Sequence, residues 1–349
     1  MESIDLSSFD SAFAGLSQRI GSLVPEFEIS EKARLAVEIE HWKKERNALI
    51  LGHNYMEPAL FHSVADVTGD SLELCRKAAE STNDVLVFCG VEFMAETAKI
   101  INPDRKVLIP SNRAGCSLAS SITAEDVREL KRRYPGVPVV SYINTYADVK
   151  AETDVCCTSG NASRVVESLD TDTVIFIPDE YLAKNVAQET GKHVIFPDKS
   201  LSKSDSTTLD KVFISWRGKC EVHDRFTVED IENIRAQFDD VVVLAHPECP
   251  PEVVEASDYS GSTSAMIKYV ADHNHGRYLL LTECAMADNI LASMPDKEVL
   301  RLCSVRCPHM AQITLEDTLA ALKNMQYEVT VPADIIKKAK TSIDRMLAI

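Results

Sequence analysis

The chain of 349 residues has no uninterrupted run of eighteen apolar residues, so no stretch is long enough to cross a bilayer as a helix. Its opening, Met1 to Ser22, carries Glu2, Asp5 and Asp10 and no continuous apolar stretch, so it does not read as a secretory leader. Basic charge is in deficit. The 37 Lys and Arg stand against 54 Asp and Glu, a formal net charge of −17. That balance argues against a nucleic-acid or membrane surface, although a few local groups can still hold an anion inside a pocket. Close C-x2-C pairs, the common mark of structural zinc, are missing as well. The 45% apolar and 26% charged residues are ordinary for a globular chain of two or three domains.

Cysteine is plentiful. Ten cysteines without a leader point to a reducing, cytoplasmic setting where thiols stay free or bind metal. Cys75, Cys89, Cys156 and Cys157 read as small buried hydrophobes. Three others share a signature, C-x6-T-x-E-D. Cys116 leads to Thr123, Glu125 and Asp126; Cys220 to Thr227, Glu229 and Asp230; Cys307 to Thr314, Glu316 and Asp317. The recurrence indicates an internal triplication. Each Thr reads as an N-cap with acidic residues in the first turn behind it.

Upstream, each copy opens on an apolar strand ending in polar residues: ALILGHNY (48–55), VVSYINT (139–145) and VVVLAHPEC (241–249). An aspartate follows, Asp66, Asp154 or Asp258, opening a small-residue loop and then a helical pattern near Leu72, Ala162 or Ala265. A second strand, a second helix and a third strand ending at or just before the cysteine complete the plan. In the second copy that third strand is either HVIFPD or KVFISW. Strands alternating with helices predict an α/β fold with parallel sheets, with binding residues at the strand carboxyl ends. A central site shared by three domains follows. The cysteine spacing is 104 and then 87 residues, and the polar segment Lys199 to Lys211 is expected to be a surface insertion that supplies the difference.

Three converging thiolates suit zinc or an iron–sulfur cluster with one open position; three buried structural thiols are the other reading. Cys303 competes with Cys307 for the third place, and the seven-residue offset to Thr314 favours Cys307. Cys249 and Cys284 are weaker candidates. His53, Tyr55, His223, His246 and Glu248 are candidates for proton transfer and anion binding, with Glu248 as general acid/base. Ser71, Ser159, Ser262 and Thr263 lie at helix starts, where capping and anion binding can coincide.

Most of these residues fall in strings that resemble the quinolinate synthase family of de novo NAD biosynthesis, and His223 matches its C-x-x-H after Cys220. The strings are GHNY (52–55), GDSLEL (69–74), FCGVEFMAETAKIINP (88–103), AGCSLA (114–119), YINT (142–145), TSGNA (158–162), HPEC (246–249), GSTSAM (261–266) and CPHM (307–310). The resemblance implies three pseudo-threefold-related αβα domains with small parallel sheets around a central active site. Expected bounds are 33–122, 123–226 with the insertion near 199–210, and 227–313. C-terminal helices over 314–349 are expected to pack back on the first repeat. It implies a transferase that condenses iminoaspartate with dihydroxyacetone phosphate to quinolinate, phosphate and water. A [4Fe–4S] cluster on Cys116, Cys220 and Cys307 would serve as Lewis acid. Implied substrate contacts are His53, Ser71, Tyr142, Ile143, Asn144, Ser159, His246, Pro247, Glu248, Ser262 and Thr263. Tyr55, Tyr142, His223, His246 and Glu248 carry the implied chemistry, and L-aspartate oxidase is the implied functional partner. Met56 stands where many members have Gln, and C-x3-C at 303–307 departs from the C-x2-C-x2-C that some members carry. Rival readings are a non-catalytic iron–sulfur redox or iron-sensing protein and another open-iron hydro-lyase.

Overall fold

The computed structural model describes residues 3–197, 211–302 and 305–349. The insertion expected at 199–211 falls almost wholly outside them, as does Cys303. The fold is α/β with three small sheets, all of whose strand pairs are parallel. The first unit holds β1 (Ala48–His53), β2 (Val67–Gly69), β3 (Val85–Cys89) and β4 (Lys106–Leu108). The second holds β5 (Val139–Tyr142), β6 (Val155–Cys157), β7 (Val174–Ile177), β8 (His193–Ile195) and β9 (Val212–Ser215). The third holds β10 (Val241–Ala245), β11 (Tyr259–Ser260), β12 (Arg277–Leu281) and β13 (Val299–Arg301). Sheet orders are β2-β1-β3-β4, β6-β5-β7-β9-β8 and β11-β10-β12-β13. The first four places therefore repeat in all three.

The central strands β1, β3, β5, β7, β10 and β12 are almost wholly buried, as continuous apolar runs in parallel sheets require. The edge strands correct the sequence reading. What reads as a small-residue loop after each aspartate contains a strand, β2, β6 or β11. Two or three residues are too few to show a period. The repeated aspartates pin this arrangement. Oδ2 of Asp66, Asp154 and Asp258 accepts the backbone N–H of Ile50, Val139 and Val243, each at 2.8 Å.

In the second unit both HVIFPD and KVFISW form strands. β9 stands beside β7, where β4 and β13 stand in the other units, and β8 is an added edge strand. Twenty-two residues separate Glu189 from Val212, against five between Ser293 and Val299. The difference of 17 equals the whole excess in cysteine spacing. The strand before each cysteine ends earlier than expected, at Leu108, Ser215 and Arg301.

Register fixes which residues correspond. Gly52 pairs with Cys89, Ser141 with Ile177 and Ala245 with Leu281. His53, Tyr142 and His246 are thus equivalent, and so are the helix N-caps Val91, Asp179 and Glu283. Helix Leu315–Asn324 packs on helix Glu26–Glu45. Helix Ala333–Leu347 lies against helix Ala147–Ala151 and β6 of the second unit as well as helix Glu92–Ile101 of the first. Among the described residues no helix is long and apolar enough to cross a membrane.

Candidate active site

The C-x6-T-x-E-D repeat encodes one local structure three times. Sγ of Cys116 accepts the backbone N–H groups of Leu118 and Ala119. Cys220 accepts those of Val222 and His223, and Cys307 those of His309 and Met310. A 3-10 turn follows in each copy: Ala119–Ser121, His223–Arg225 and Met310–Gln312. The hydroxyls of Thr123, Thr227 and Thr314 then cap helices by accepting the N–H of Asp126, Asp230 and Asp317. Each sulfur sits in a nest of N–H donors, a setting that favours a thiolate.

All three cysteines line one cavity of ≈ 80 Å³. One water occupies about 10–15 Å³ on this measure, so the space is a chamber and not a packing defect. Burial pushes the Cys116 thiol up to about 12 and the Cys307 thiol to about 11, and raises Cys220 well above the ordinary value. Uncomplexed, the three are protonated thiols, and a bound cation must displace those protons. The sulfur-only set of three suits an iron–sulfur cluster or zinc. A second candidate set, Cys220, His223 and Glu248, has ligand atoms within 4.8 Å of one another. There, however, the His223–Glu248 hydrogen bond already occupies the imidazole Nδ1.

Strand ends deliver the remaining groups. Glu248, buried after β10, is the hub. Tyr142 O–H and Asn144 Nδ2 (3.1 Å) donate to Oε1, and His223 Nδ1 lies 2.7 Å from Oε2. Burial opposes ionisation of Glu248. The adjacent His223 ring, by electrostatics and hydrogen bond, outweighs burial with help from His246 and the Tyr142 hydroxyl and holds the carboxyl well below its usual range. The chain continues from His223 Nε2 to Thr282 Oγ1 at 3.0 Å and on to Tyr55 Oη at 2.5 Å. Burial and the Glu248 charge raise both tyrosine hydroxyls well above the ordinary value, so both keep their protons.

His53 and His246 form a matched pair. The N–H two residues on, from Tyr55 or Glu248, donates to the ring Nδ1 at 3.2 and 3.3 Å. The ring proton of each neutral imidazole is therefore on Nε2. Burial drops His53 to about 4 and His246 to about 3, so both are neutral hydrogen-bond donors near pH 7. His246 Nε2–H donates to Ser159 Oγ at 3.2 Å.

The cavity wall also contains Ser71, Ser159 and Thr263, and no Lys or Arg among the described residues. Ser71 and Thr263 open ten-residue helices whose starts are linked. Ser262 Oγ donates to Asp70 Oδ2 at 2.9 Å. Ile143, Pro247 and Ser262, expected as contacts, do not line the cavity. Ile143 is buried in the core, and Ser262 caps helix Thr263–Asp272. Sequence reasoning passed over Thr282, Asp70, Glu283 and the Glu221–His309 contact (3.1 Å). The signal for Thr282 and Glu283 was their repeat position at the end of β12. Burial raises Glu283 to about 7.

The sequence profile described as quinolinate synthetase A protein matches residues 37–348. "Quinolinate synthase 2" of Mesorhizobium japonicum is 49% identical over 344 residues, covering 99% of this chain and 100% of that protein. "Quinolinate synthase" of Agrobacterium fabrum is 50% identical over 336 residues, covering 96% and 92%. That of Caulobacter vibrioides is 49% identical over 334 residues, covering 95% and 86%.

Proposed function

The chain belongs to the quinolinate synthetase A protein family, and we propose that it condenses iminoaspartate with dihydroxyacetone phosphate, releasing quinolinate, phosphate and two waters. One observation carries this reading. A cysteine from each of three repeated units meets a hydrogen-bonded Glu248–His223–Tyr142 cluster in a single cavity. A redox or iron-sensing protein has no use for that cluster. Cys116, Cys220 and Cys307 would hold a [4Fe–4S] cluster. The wall holds no other cysteine among the described residues, so one iron would stay open. When bound, the cluster supplies Lewis acidity toward a hydroxyl or carbonyl oxygen.

The residues themselves suggest how anionic substrates are held without a Lys or Arg in the cavity wall among the described residues. Neutral Nε2–H donors on His53 and His246, the hydroxyls of Ser71, Ser159 and Thr263, and two helix N-termini offer hydrogen bonds to carboxylate oxygens. Asn144 Oδ1 is buried with no hydrogen-bond partner among the described residues and offers an acceptor to a substrate N–H or O–H. Glu248 is ionised and can take a proton released at carbon or nitrogen, becoming a neutral acid, and its hydrogen bond to His223 Nδ1 gives that proton a second site on the pair. Tyr142 and Tyr55 keep their protons and can donate to oxygen as water leaves.

The test is anaerobic purification, a visible spectrum, and an assay with dihydroxyacetone phosphate and freshly generated iminoaspartate. Quinolinate should form, and Cys116→Ser, Cys220→Ser and Cys307→Ser should each lose both the brown absorbance and the activity. A full cluster in any one of the three variants removes that residue from the ligand set. A cluster-loaded wild type that makes no quinolinate overturns the function.

A further inference from the structure

Two asparagines outside the cavity wall hold repeat-equivalent places. Asn185 lies six residues after the N-cap Asp179, and Asn289 lies six after the N-cap Glu283. Asn185 Nδ2 donates to the carbonyls of Pro247 (2.8 Å) and Cys249 (3.1 Å). Asn289 Nδ2 donates to those of Asn54 (3.1 Å) and Met56 (2.9 Å). Counted from the equivalent histidines His246 and His53, these are the first and third carbonyls in both cases. Each bond pair crosses from one unit to the next, second to third and third to first. The Oδ1 of both asparagines is buried and has no hydrogen-bond partner among the described residues. Keeping a buried amide with an unpaired oxygen costs free energy, so its two N–H bonds are what it contributes.

We propose that Asn185 and Asn289 are positioning residues. Each clamps, across a unit boundary, the strand-end loop that aims the next unit's site side chains into the cavity. Asn185 fixes the loop that carries His246 and Glu248, and Asn289 fixes the loop that carries His53 and Tyr55. Within each clamped loop the third amide also bonds back to the histidine carbonyl, Cys249 to His246 and Met56 to His53, at 2.9 Å in both. The clamp therefore closes a turn on which the side-chain directions depend.

The third junction departs from the rule in an instructive way. The equivalent position there is Thr97, whose hydroxyl turns back to the Phe93 carbonyl at 2.7 Å. The carbonyl of Thr145, third after Tyr142, is bonded instead by Nζ of fully buried Lys150. Lys150 thereby takes over the donor role at the loop that carries Tyr142 and Asn144, which explains a cation under the Phe93 ring (5.5 Å) in a buried place.

The assignment rests on the proposed activity for its kinetic arm only, so the experiment has two arms. In the first, hydrogen exchange is followed on the cluster-loaded protein. Asn185→Leu should speed exchange in the peptide over 246–250 and leave 53–57 unchanged, and Asn289→Leu should do the reverse. The milder Asn→Ser variants should show the same crossed pattern if either Leu variant fails to fold. In the second arm, kcat should fall roughly ten- to a hundredfold with KM changed far less, because the groups are misaimed rather than removed. The loss in Asn185→Leu should not multiply with that of Glu248→Gln. Unchanged exchange at both loops, or kcat within about twofold of wild type in folded, cluster-loaded variants, overturns the clamp. A wild type without quinolinate synthesis defeats the functional reading and leaves the exchange arm to decide this one.

Discussion

Nδ1 of His223 lies 2.7 Å from Oε2 of Glu248, a contact between the second and third units with both side chains buried. An imidazole and a carboxylate this close act as one proton-handling group. Glu248→Gln keeps the shape and the contact to Tyr142 but cannot take a proton. The expected result is an intact cluster spectrum with kcat lowered about 10²- to 10⁴-fold. Near-normal turnover would remove Glu248 from the chemistry.

Thr282 sets the direction of the next two hydrogen bonds. Nδ1–H of His223 faces the carboxylate, so in the neutral ring Nε2 accepts the Thr282 hydroxyl proton. Thr282 Oγ1 in turn accepts from Tyr55. Thr282→Val preserves the shape and deletes the link. Its kcat should fall about tenfold, the worth of one hydrogen bond to a catalytic group, while the cluster spectrum and thermal midpoint stay close to wild type. Thr282→Ser should restore most of the rate. Equal rates for Val and Ser would show that the hydroxyl carries nothing.

The aspartate pins invite a stability test. Asp154 Oδ2 accepts the Val139 N–H at 2.8 Å where β5 begins. Asp154→Ala leaves a strand N–H without its charged partner, which should cost about 1.5–3 kcal/mol. Urea denaturation measures this, and a cost below about 0.5 kcal/mol would mean that water replaces the carboxylate at that edge.

The sequence made some of this legible and hid the rest for identifiable reasons. The central strands announce themselves as apolar runs, and the C-x6-T-x-E-D code is local, so turn, cap and cysteine could be read together. The aspartates at 66, 154 and 258 were visible as a recurrence, but their bond to a strand fifteen or sixteen residues earlier is tertiary and has no periodic trace. β2, β6 and β11 are too short to carry a pattern. Thr282 looked like a strand end. Its role appears only when the third unit brings it between Tyr55 of the first and His223 of the second. Pro247 and Ile143 sit inside matching strings, yet the alternation of a strand end turns them away from the cavity.

Glu96 offers a pH test outside the cavity wall. Its Oε2 accepts the Ala147 N–H at 2.8 Å, and burial pushes the carboxyl up to about 7 from an ordinary 4.5, with Lys150 pulling the other way. The folded state therefore binds a proton that the unfolded state has released between those values. This contribution to stability is full below about 4.5 and is lost as pH rises through about 7. Glu96→Gln keeps an acceptor for Ala147 and does not titrate. Relative to wild type it should gain on the order of 2 kcal/mol between about pH 5 and pH 8, because every other titrating group is common to both proteins and cancels. Urea midpoints at the two pH values measure the difference. Parallel curves would mean that Glu96 stays ionised beside Lys150 throughout, as a buried ion pair and not a neutral acid.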